Sequence, residues 1–237
     1  MKQITIVAIA LLMANLSFGQ ADIGLKIGYT NSGLTNSLDT EFATSKRISG
    51  LHFGVIGQIG LSENTAIVVE VDFQQRGVEQ EITIGMAASK TKSVINYLEV
   101  PLLFRFSKGG ETKVFGNVGP FIGYALGGKI KGESTLNGET TAADGKIKFE
   151  DEPDNYMGDD FYAKDVYNRI DIGIYIGAGI IREFGIGSFI LDARFGIGFT
   201  DYNDTDNIYP NGKPDDYKSN RFNDIIVSVG YLFPLGS

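Results

Sequence analysis

The sequence predicts an all-β fold, namely a single eight-stranded antiparallel transmembrane β-barrel with short periplasmic turns and long external loops. Three observations predict it: the composition, eight amphipathic segments with a period of two, and links that alternate between short and long. The 237 residues include 31 Gly, 16 Phe and 11 Tyr, but no Cys and no Trp. Many strand-forming aromatic residues separated by small ones favour strands over helices.

Alternation of apolar with small or polar residues recurs eight times, which predicts eight strands. The segments cover residues 23–31, 50–60, 65–76, 94–106, 113–125, 169–181, 189–200 and 223–233. A soluble sandwich would carry a dense coat of Lys, Glu and Thr on its polar faces. Here those faces carry glycine and a few charges of both signs, which is typical of a narrow lumen. The apolar faces would then meet lipid.

The links between these segments alternate in length. Residues 61–64, 107–112 and 182–188 form short links, whereas residues 32–49, 77–93, 126–168 and 201–222 form long ones. Transmembrane barrels alternate short periplasmic turns with longer outer loops in the same way. We therefore place both chain ends on the periplasmic side. The longest link contains ten acidic residues against five Lys, and parts of it are expected to extend the neighbouring strands.

Residues 1–19 read as an export signal, with Lys2 before an apolar run from Ile4 to Ala14, and we expect cleavage near Gly19 and Gln20. Residues 20–237 then form the barrel domain. The absence of Cys excludes a lipid-anchored lipoprotein, disulfides and thiolate metal sites. A net charge of −8 without a basic cluster argues against a nucleic-acid partner.

Charges on the inward face predict an ion-pair network in the lumen. Its members are Glu70, Asp72, Glu99, Arg105, Asp192 and Arg194, and Asp171 shares their face. Because Arg194 falls near the level of Glu70 and Glu99 on the opposite side of the ring, we expect it to bridge to one of them. Arg105 and Asp192 are expected lower down. Buried ions need partners, and an interior this narrow would be plugged by them.

Few residues could support chemistry. His52 is the only histidine and is expected to line the pore or its rim, because nothing in the sequence places a nucleophile beside it. Acidic pairs such as Asp151 with Glu152 are typical of solvated loops. Oxygen ligands of the kind calcium prefers lie close together at Asp201, Asn203, Asp204 and Asp206, but without EF-hand spacing. We expect at most weak cation binding there, no cofactor and no catalytic site.

Aromatic residues lie near the predicted strand ends, where rings suit the headgroup region of a membrane. These residues are Tyr29, Tyr97, Tyr124, Tyr202, Phe106 and Phe233. Ordinary packing within the barrel explains them almost as well.

Three strings carry a family resemblance: NYLEVPLLFRF (residues 96–106), VFGNVGPFIGYAL (114–126) and RIDIGIYIGAGI (169–180). They resemble the PorT-like outer-membrane β-barrel family of Bacteroidetes over roughly residues 21–233. Tyr97-Leu98-Glu99-Val100-Pro101 and Gly119-Pro120 match recurring motifs of its strands. The resemblance implies the barrel fold, and for some members a link to secretion or gliding machinery, but no catalytic residues. One departure is that Phe233 is followed by four further residues, whereas such barrels often finish on an aromatic residue.

These observations predict a non-enzymatic outer-membrane protein that anchors acidic external loops for interaction with a partner or ligand. Expected partners are outer-membrane lipid, the barrel-assembly machinery during insertion, and an envelope protein reached through the loops. Three alternatives stay open: a small passive pore, a membrane-embedded hydrolase or acyltransferase, and a soluble periplasmic ligand-binding barrel.

Overall fold

The computed structural model describes residues 21–35 and 42–235, so the predicted export signal lies outside the described residues. Most of the chain that is described forms strands. The elements are β1 (Ala21–Leu34), β2 (Ala43–Gly60), β3 (Thr65–Ile84), β4 (Ala87–Gly109), β5 (Thr112–Leu136), β6 (Glu139–Lys148), β7 (Phe161–Tyr162), β8 (Ile170–Phe184), β9 (Gly187–Gly198), α1 (Thr205–Ile208) and β10 (Phe222–Pro234). Within these ranges, no helix is long and apolar enough to cross a membrane.

Eight of the strands form a closed antiparallel ring. Its order is β1, β2, β3, β4, β5, β8, β9 and β10, and β10 pairs again with β1. The closing register runs from Asp22 opposite Pro234 to Leu34 opposite Phe222. Closure leaves no free sheet edge within the ring, so each backbone polar group can find a partner on a neighbouring strand. The predicted eight-stranded barrel is confirmed.

The apolar side chains face outwards and the charged ones face inwards. On β1, Leu25 and Ile27 are exposed while Lys26 between them is buried. On β4, exposed side chains recur at every second position from Leu98 to Phe106. At about 3.3 Å per residue and a tilt of about 40°, this stretch rises about 20 Å, close to the height of the apolar band of a membrane barrel. A soluble barrel would have the opposite arrangement.

Several strands continue well beyond the predicted segments at the outer end. β3 and β4 extend across residues 77–93 and join at a turn of two residues, where Gly85 has a φ of +60°. The predicted long loop 77–93 is therefore a hairpin. β5 likewise runs on to Leu136 and turns through Asn137 and Gly138, both with positive φ, into β6. The sequence predicts the extension of strands into residues 126–168. It does not predict those of β3 and β4, whose outward faces carry charged or small residues such as Glu79, Glu81 and Lys90.

Glycines on the inward face make room for large side chains. A Cβ at Gly54 would lie 2.0 Å from Asp72 Oδ1, and one at Gly177 would lie 2.8 Å from Cγ of Arg194. The narrow interior therefore accommodates long charged side chains because the neighbouring strands contribute almost no volume at these positions. This pairing of glycine with charge explains the composition of the polar face.

Candidate functional site

The lower cluster, nearer the periplasmic end, consists of Lys26, Glu70, Asp72, Asp192 and Arg194, all of them buried. Arg194 contacts both oxygens of Glu70, at 2.5 Å and 2.7 Å, and its Nε donates to Asp192 Oδ2 at 2.6 Å. The Lys26 ammonium donates to Glu70 and lies 2.9 Å from Asp72. These contacts join β1, β3 and β9 across the lumen.

The upper cluster consists of Arg76 and three carboxylates, those of Glu99, Asp171 and Asp224. Their distances to the Arg76 guanidinium are 2.7 Å, 2.6 Å and 2.9 Å, respectively. Tyr175 donates its hydroxyl to Glu99 Oε2 at 2.6 Å. A guanidinium presents several N–H donors in a plane, so one Arg can hold carboxylates from three other strands.

The structure distributes the six predicted network residues over more than one group. Glu70, Asp72, Asp192 and Arg194 lie together, whereas Glu99 belongs to the upper cluster. Arg105 does not join Asp192: its Nη1 donates to Gln58 Oε1 at 2.7 Å, and its guanidinium lies over the Phe115 ring at 4.2 Å. Asp192 is instead held by Arg194, which lies two residues away on the same face of β9.

Two cations essential to these clusters were not among the predicted network residues. Arg76 lies an even number of residues from Glu70 and Asp72 on β3 and so shares their inward face, but it is the last residue of the predicted strand segment 65–76. Lys26 shares the small and polar face of β1. The alternation of side chains between the two faces, followed along the full length of each strand, places both Arg76 and Lys26 on the inward face.

His52 faces the lumen and is buried, well inside β2 rather than at a rim, because β2 and β3 continue beyond it. Its Nε2 lies 3.9 Å from Asp72 Oδ2 and has no hydrogen-bond partner in the part of the chain that is described. No hydroxyl is bonded to this nitrogen, so the arrangement needed to activate a serine is not formed here.

An aromatic cap covers the upper cluster at the outer end. It consists of Tyr97, Tyr167, Tyr202 and Phe222, with Tyr167 and Tyr202 stacked at 4.2 Å between ring centroids. Tyr97 and Tyr202 are buried and face inwards, so the expectation that they lie among headgroups is wrong for these two. On β4, the outward positions are the even-numbered ones, which puts Tyr97 inside.

In the acidic loop between β9 and β10, carboxylates accept hydrogen bonds from other residues of the same loop. Asp201 accepts from the backbone N–H groups of Asn203 and Asn220 at 3.1 Å and 3.2 Å, and from the Tyr217 hydroxyl at 2.8 Å. Asp204 accepts from Asn207 at the start of α1. In residues 21–35 and 42–235, no three His, Cys, Asp or Glu side chains are grouped as a metal site. Weak calcium binding at Asp201, Asn203, Asp204 and Asp206 stays a prediction.

Charge pairs outside the membrane tie the outer segments to the strand extensions. Lys148 lies 2.8 Å from Asp160, which also accepts from the backbone N–H of Lys146 at 2.9 Å. The hydrogen bond from Lys148, with that from the Lys146 backbone, holds the pKa of Asp160 below its usual value. The Asp160 carboxylate in turn raises the pKa of Lys148. This pair anchors the segment that leads into β7 against β6.

A closed antiparallel ring with an apolar outer belt and a charged interior defines a transmembrane β-barrel. Residues 13–204 match the family described as "Outer membrane protein beta-barrel domain", and the chain belongs to that family. It is an integral protein of the outer membrane. No curated protein sequence matches the chain.

Solved structures with a similar arrangement include three outer-membrane proteins. They are Ail, the attachment invasion locus protein of Yersinia pestis (15% identity, TM-score 0.41, covering 90% of this chain and 99% of that one), OprG of Pseudomonas aeruginosa (10%, 0.42, 91% and 97%), and Neisserial surface protein A (8%, 0.40, 89% and 95%).

Proposed function

We propose that this protein is a non-conducting and non-enzymatic outer-membrane anchor, which presents acidic outer segments to a partner or ligand. The single observation that carries the proposal is the filled lumen. In the described part of the chain, the buried side chains facing the lumen include four cations (Lys26, Arg76, Arg105 and Arg194) and six carboxylates (Glu70, Asp72, Glu99, Asp171, Asp192 and Asp224).

These charges argue against an open pore. The interior of an eight-stranded barrel is only wide enough for side chains, and here two successive clusters tie opposite walls together. Between and around them, buried apolar side chains such as Val68, Leu103 and Phe121 form one packed core. Ions or small solutes would have to break buried ion pairs in order to pass, which is strongly unfavourable.

A conductance measurement tests the closed lumen. Protein refolded into planar lipid bilayers is expected to show no steady channel current, while heat-modifiable migration on a gel confirms that the barrel has formed. A reproducible steady current from folded protein would contradict the anchor proposal and would support the small passive pore instead.

The outer segments supply the proposed binding surface. Exposed carboxylates cluster between β6 and β7, at Glu150, Asp151, Glu152, Asp154 and Asp159, and again at Asp215 and Asp216. Met157, in the middle of the first group, is 99% exposed. The resemblance of the strand motifs to PorT-like proteins supports an accessory role in secretion or another envelope machinery.

In-cell photo-crosslinking tests this surface. A photoreactive residue at position 157 is expected to give a discrete adduct that is lost when Asp154 and Asp159 are both changed to Asn. The matched control is the same residue at position 186, where Ile186 is exposed in the turn between β8 and β9. Equal adducts at both positions, or no effect of removing the charges, would contradict an acidic binding surface.

We also propose that residues 1–19 are removed on export and that the mature chain begins near Gln20. Intact-mass measurement of protein purified from outer membranes tests this, since retention of residues 1–19 would overturn it.

A further inference from the structure

The outer surface of the strand extensions carries a cluster of lysines that face one another in register. Lys129 on β5 lies directly opposite Lys146 on β6, and Lys92 on β4 lies directly opposite Lys131 on β5. Directly opposed residues of antiparallel strands lie on the same face, and like charges there destabilise the pairing. We call these four residues the lysine patch. It is an unusual feature in a protein of net charge −8.

Nearby carboxylates neutralise only part of the lysine patch. Lys131 lies 3.0 Å from Asp144, but the side chains of Lys92, Lys129 and Lys146 make no ion pair within the described residues. Among the neighbouring acids on this face, Asp160 is engaged by the Lys148 ammonium, and Glu79, directly opposite Lys92, is engaged by that of Lys90. Glu133 lies opposite Lys90, away from Lys129 and Lys146. An unbalanced positive charge therefore remains on this face of the sheet.

The lysine patch lies immediately above the lipid-facing belt. On β5, Tyr124 and Leu126 are exposed members of that belt, and Lys129 follows three residues later, about 10 Å further along the strand. The direct neighbour of Lys129 on β4 is Val94, which lies on the same outward face of β4 as the belt residue Leu98. The headgroup layer extends roughly 5–7 Å beyond the hydrocarbon core, and lysine side chains reach into it. The patch thus lies at headgroup level.

A cleft and a fifth cation accompany the lysine patch. The cleft, of about 270 Å³, is lined by Lys129, Lys131 and Lys146 and also by Asp144 and Asp160. Both carboxylates are already paired, with Lys131 and Lys148, respectively. On the neighbouring β8 side, the Arg169 guanidinium lies over the exposed Tyr124 ring at 4.5 Å. Its Nε and Nη1 donate to the carbonyl oxygens of Ala125 and Phe149, so Arg169 adds a fixed positive charge to the outer rim of the belt.

We propose that the lysine patch binds the phosphate groups of an anionic lipid in the outer leaflet of the membrane. A phosphate between Lys129 and Lys146 relieves their mutual repulsion, and the acyl chains of the same molecule lie against the adjacent belt. Charge complementarity and continuity with the lipid-facing surface favour a lipid over a soluble ligand. This inference is independent of what the acidic outer segments bind.

The test uses the full refolded barrel in mixed micelles and follows its thermal unfolding by circular dichroism. The probe is bis-phosphorylated lipid A, compared with the same lipid after removal of both phosphates, with inorganic phosphate, and with a soluble sulfated polysaccharide. The variant is K129Q with K146Q. The matched control is K213Q with K218Q, which removes the same charge from the outer loop between β9 and β10.

The bis-phosphorylated lipid is expected to raise the unfolding midpoint of the wild type and of the control at the same concentration. The K129Q/K146Q variant should need roughly thirtyfold more lipid for the same shift, because each of the two lysines near an anionic headgroup contributes about a fivefold factor. K129R/K146R should restore binding. Heat-modifiable migration shows that each variant has folded.

Three outcomes would overturn the proposal. The first is an equal shift with the dephosphorylated lipid, and the second is an unchanged response of K129Q/K146Q. The third is a shift given by inorganic phosphate or the sulfated polysaccharide but not by the lipid, which would assign the lysine patch to a soluble anion.

Discussion

Arg194 and Glu70 pair through two hydrogen bonds across the full width of the barrel. Their strands, β9 and β3, are separated by four steps in either direction around the ring of eight, so they stand on opposite walls. A guanidinium and a carboxylate matched in this way form a directional contact. The pair fixes the distance between the two walls at the level of the lower cluster.

Replacing Arg194 by Met should destabilise the barrel strongly. The change leaves Asp192 without its cation and Glu70 with Lys26 alone, and breaking a buried pair costs about 3–5 kcal/mol. Urea unfolding in lipid vesicles measures the free energy of unfolding. Lys164→Met, which removes one partner of the exposed pair with Asp151, is the control and should show no measurable change. The double variant R194M/E70M should be more stable than R194M, and additive losses would contradict direct coupling.

The upper cluster should respond in opposite ways to loss of its cation and loss of one carboxylate. Arg76→Met leaves Glu99, Asp171 and Asp224 buried together without a cation, and should reduce stability by at least about 3–5 kcal/mol. Asp224→Asn removes one of three like charges gathered on a single guanidinium, so stability should change by less than about 1 kcal/mol. The same unfolding measurement compares the two. A larger loss for D224N than for R76M would refute the assignment.

The Asp160 carboxylate should titrate below its usual value of 3.8. Its pKa is depressed in the folded protein, so its contact with Lys148 stabilises the β6–β7 region above the unfolded pKa. That contribution is lost as the pH falls through the folded pKa. Carbon NMR of the labelled carboxyl measures the midpoint. Lys148→Met should move the midpoint upwards, whereas Lys164→Met, which removes an exposed partner of Asp151, should leave it unchanged. An unshifted midpoint in K148M would show that Lys148 is not the cause.

Asp201→Ala should loosen the loop between β9 and β10 without opening the barrel. The change removes the acceptor for Asn203, Asn220 and Tyr217, so residues 201–221 should be cleaved by protease faster, by roughly an order of magnitude if about 1–2 kcal/mol of local stability is lost. Heat-modifiable migration should stay as in the wild type. Asp206→Ala is the control, because Asp206 makes no side-chain hydrogen bond within the described residues. Equal cleavage of both variants would contradict a holding role for Asp201.

The alternation of side chains between the two faces of each strand accounts for most of what the sequence predicted correctly. Apolar residues at alternate positions identified the lipid-facing side, and strand order around the ring placed Arg194 opposite Glu70. This alternation does not reveal a strand where the outward face lacks apolar residues. The extensions of β3 and β4 carry Glu79, Glu81, Lys90 and Lys92 on the outward face, because above the membrane that face meets water or headgroups. Such segments have the composition of loops.

The ion-pair partner of each buried charge was harder to predict. It depends on the volume of the neighbouring side chains as well as on the height of the residue along the barrel axis. Arg105 lies at a suitable height for Asp192, but it stacks on Phe115 and turns towards Gln58. Glu99 could not be separated from Glu70 as a partner of Arg194 until Arg76 was known to reach inwards. Competition among neighbours, rather than the properties of any one residue, decides these pairs.

The pairing of β1 with β10 has a consequence for assembly. Arg194 and Asp224 reside on the last two strands, while their partners Glu70 and Arg76 reside on β3. A half-built sheet already inserted in lipid would therefore expose uncompensated charges to hydrocarbon, which is strongly unfavourable. Sealing the seam between the first and last strands and neutralising the interior must then occur together, so that insertion proceeds as a single cooperative step with few stable intermediates.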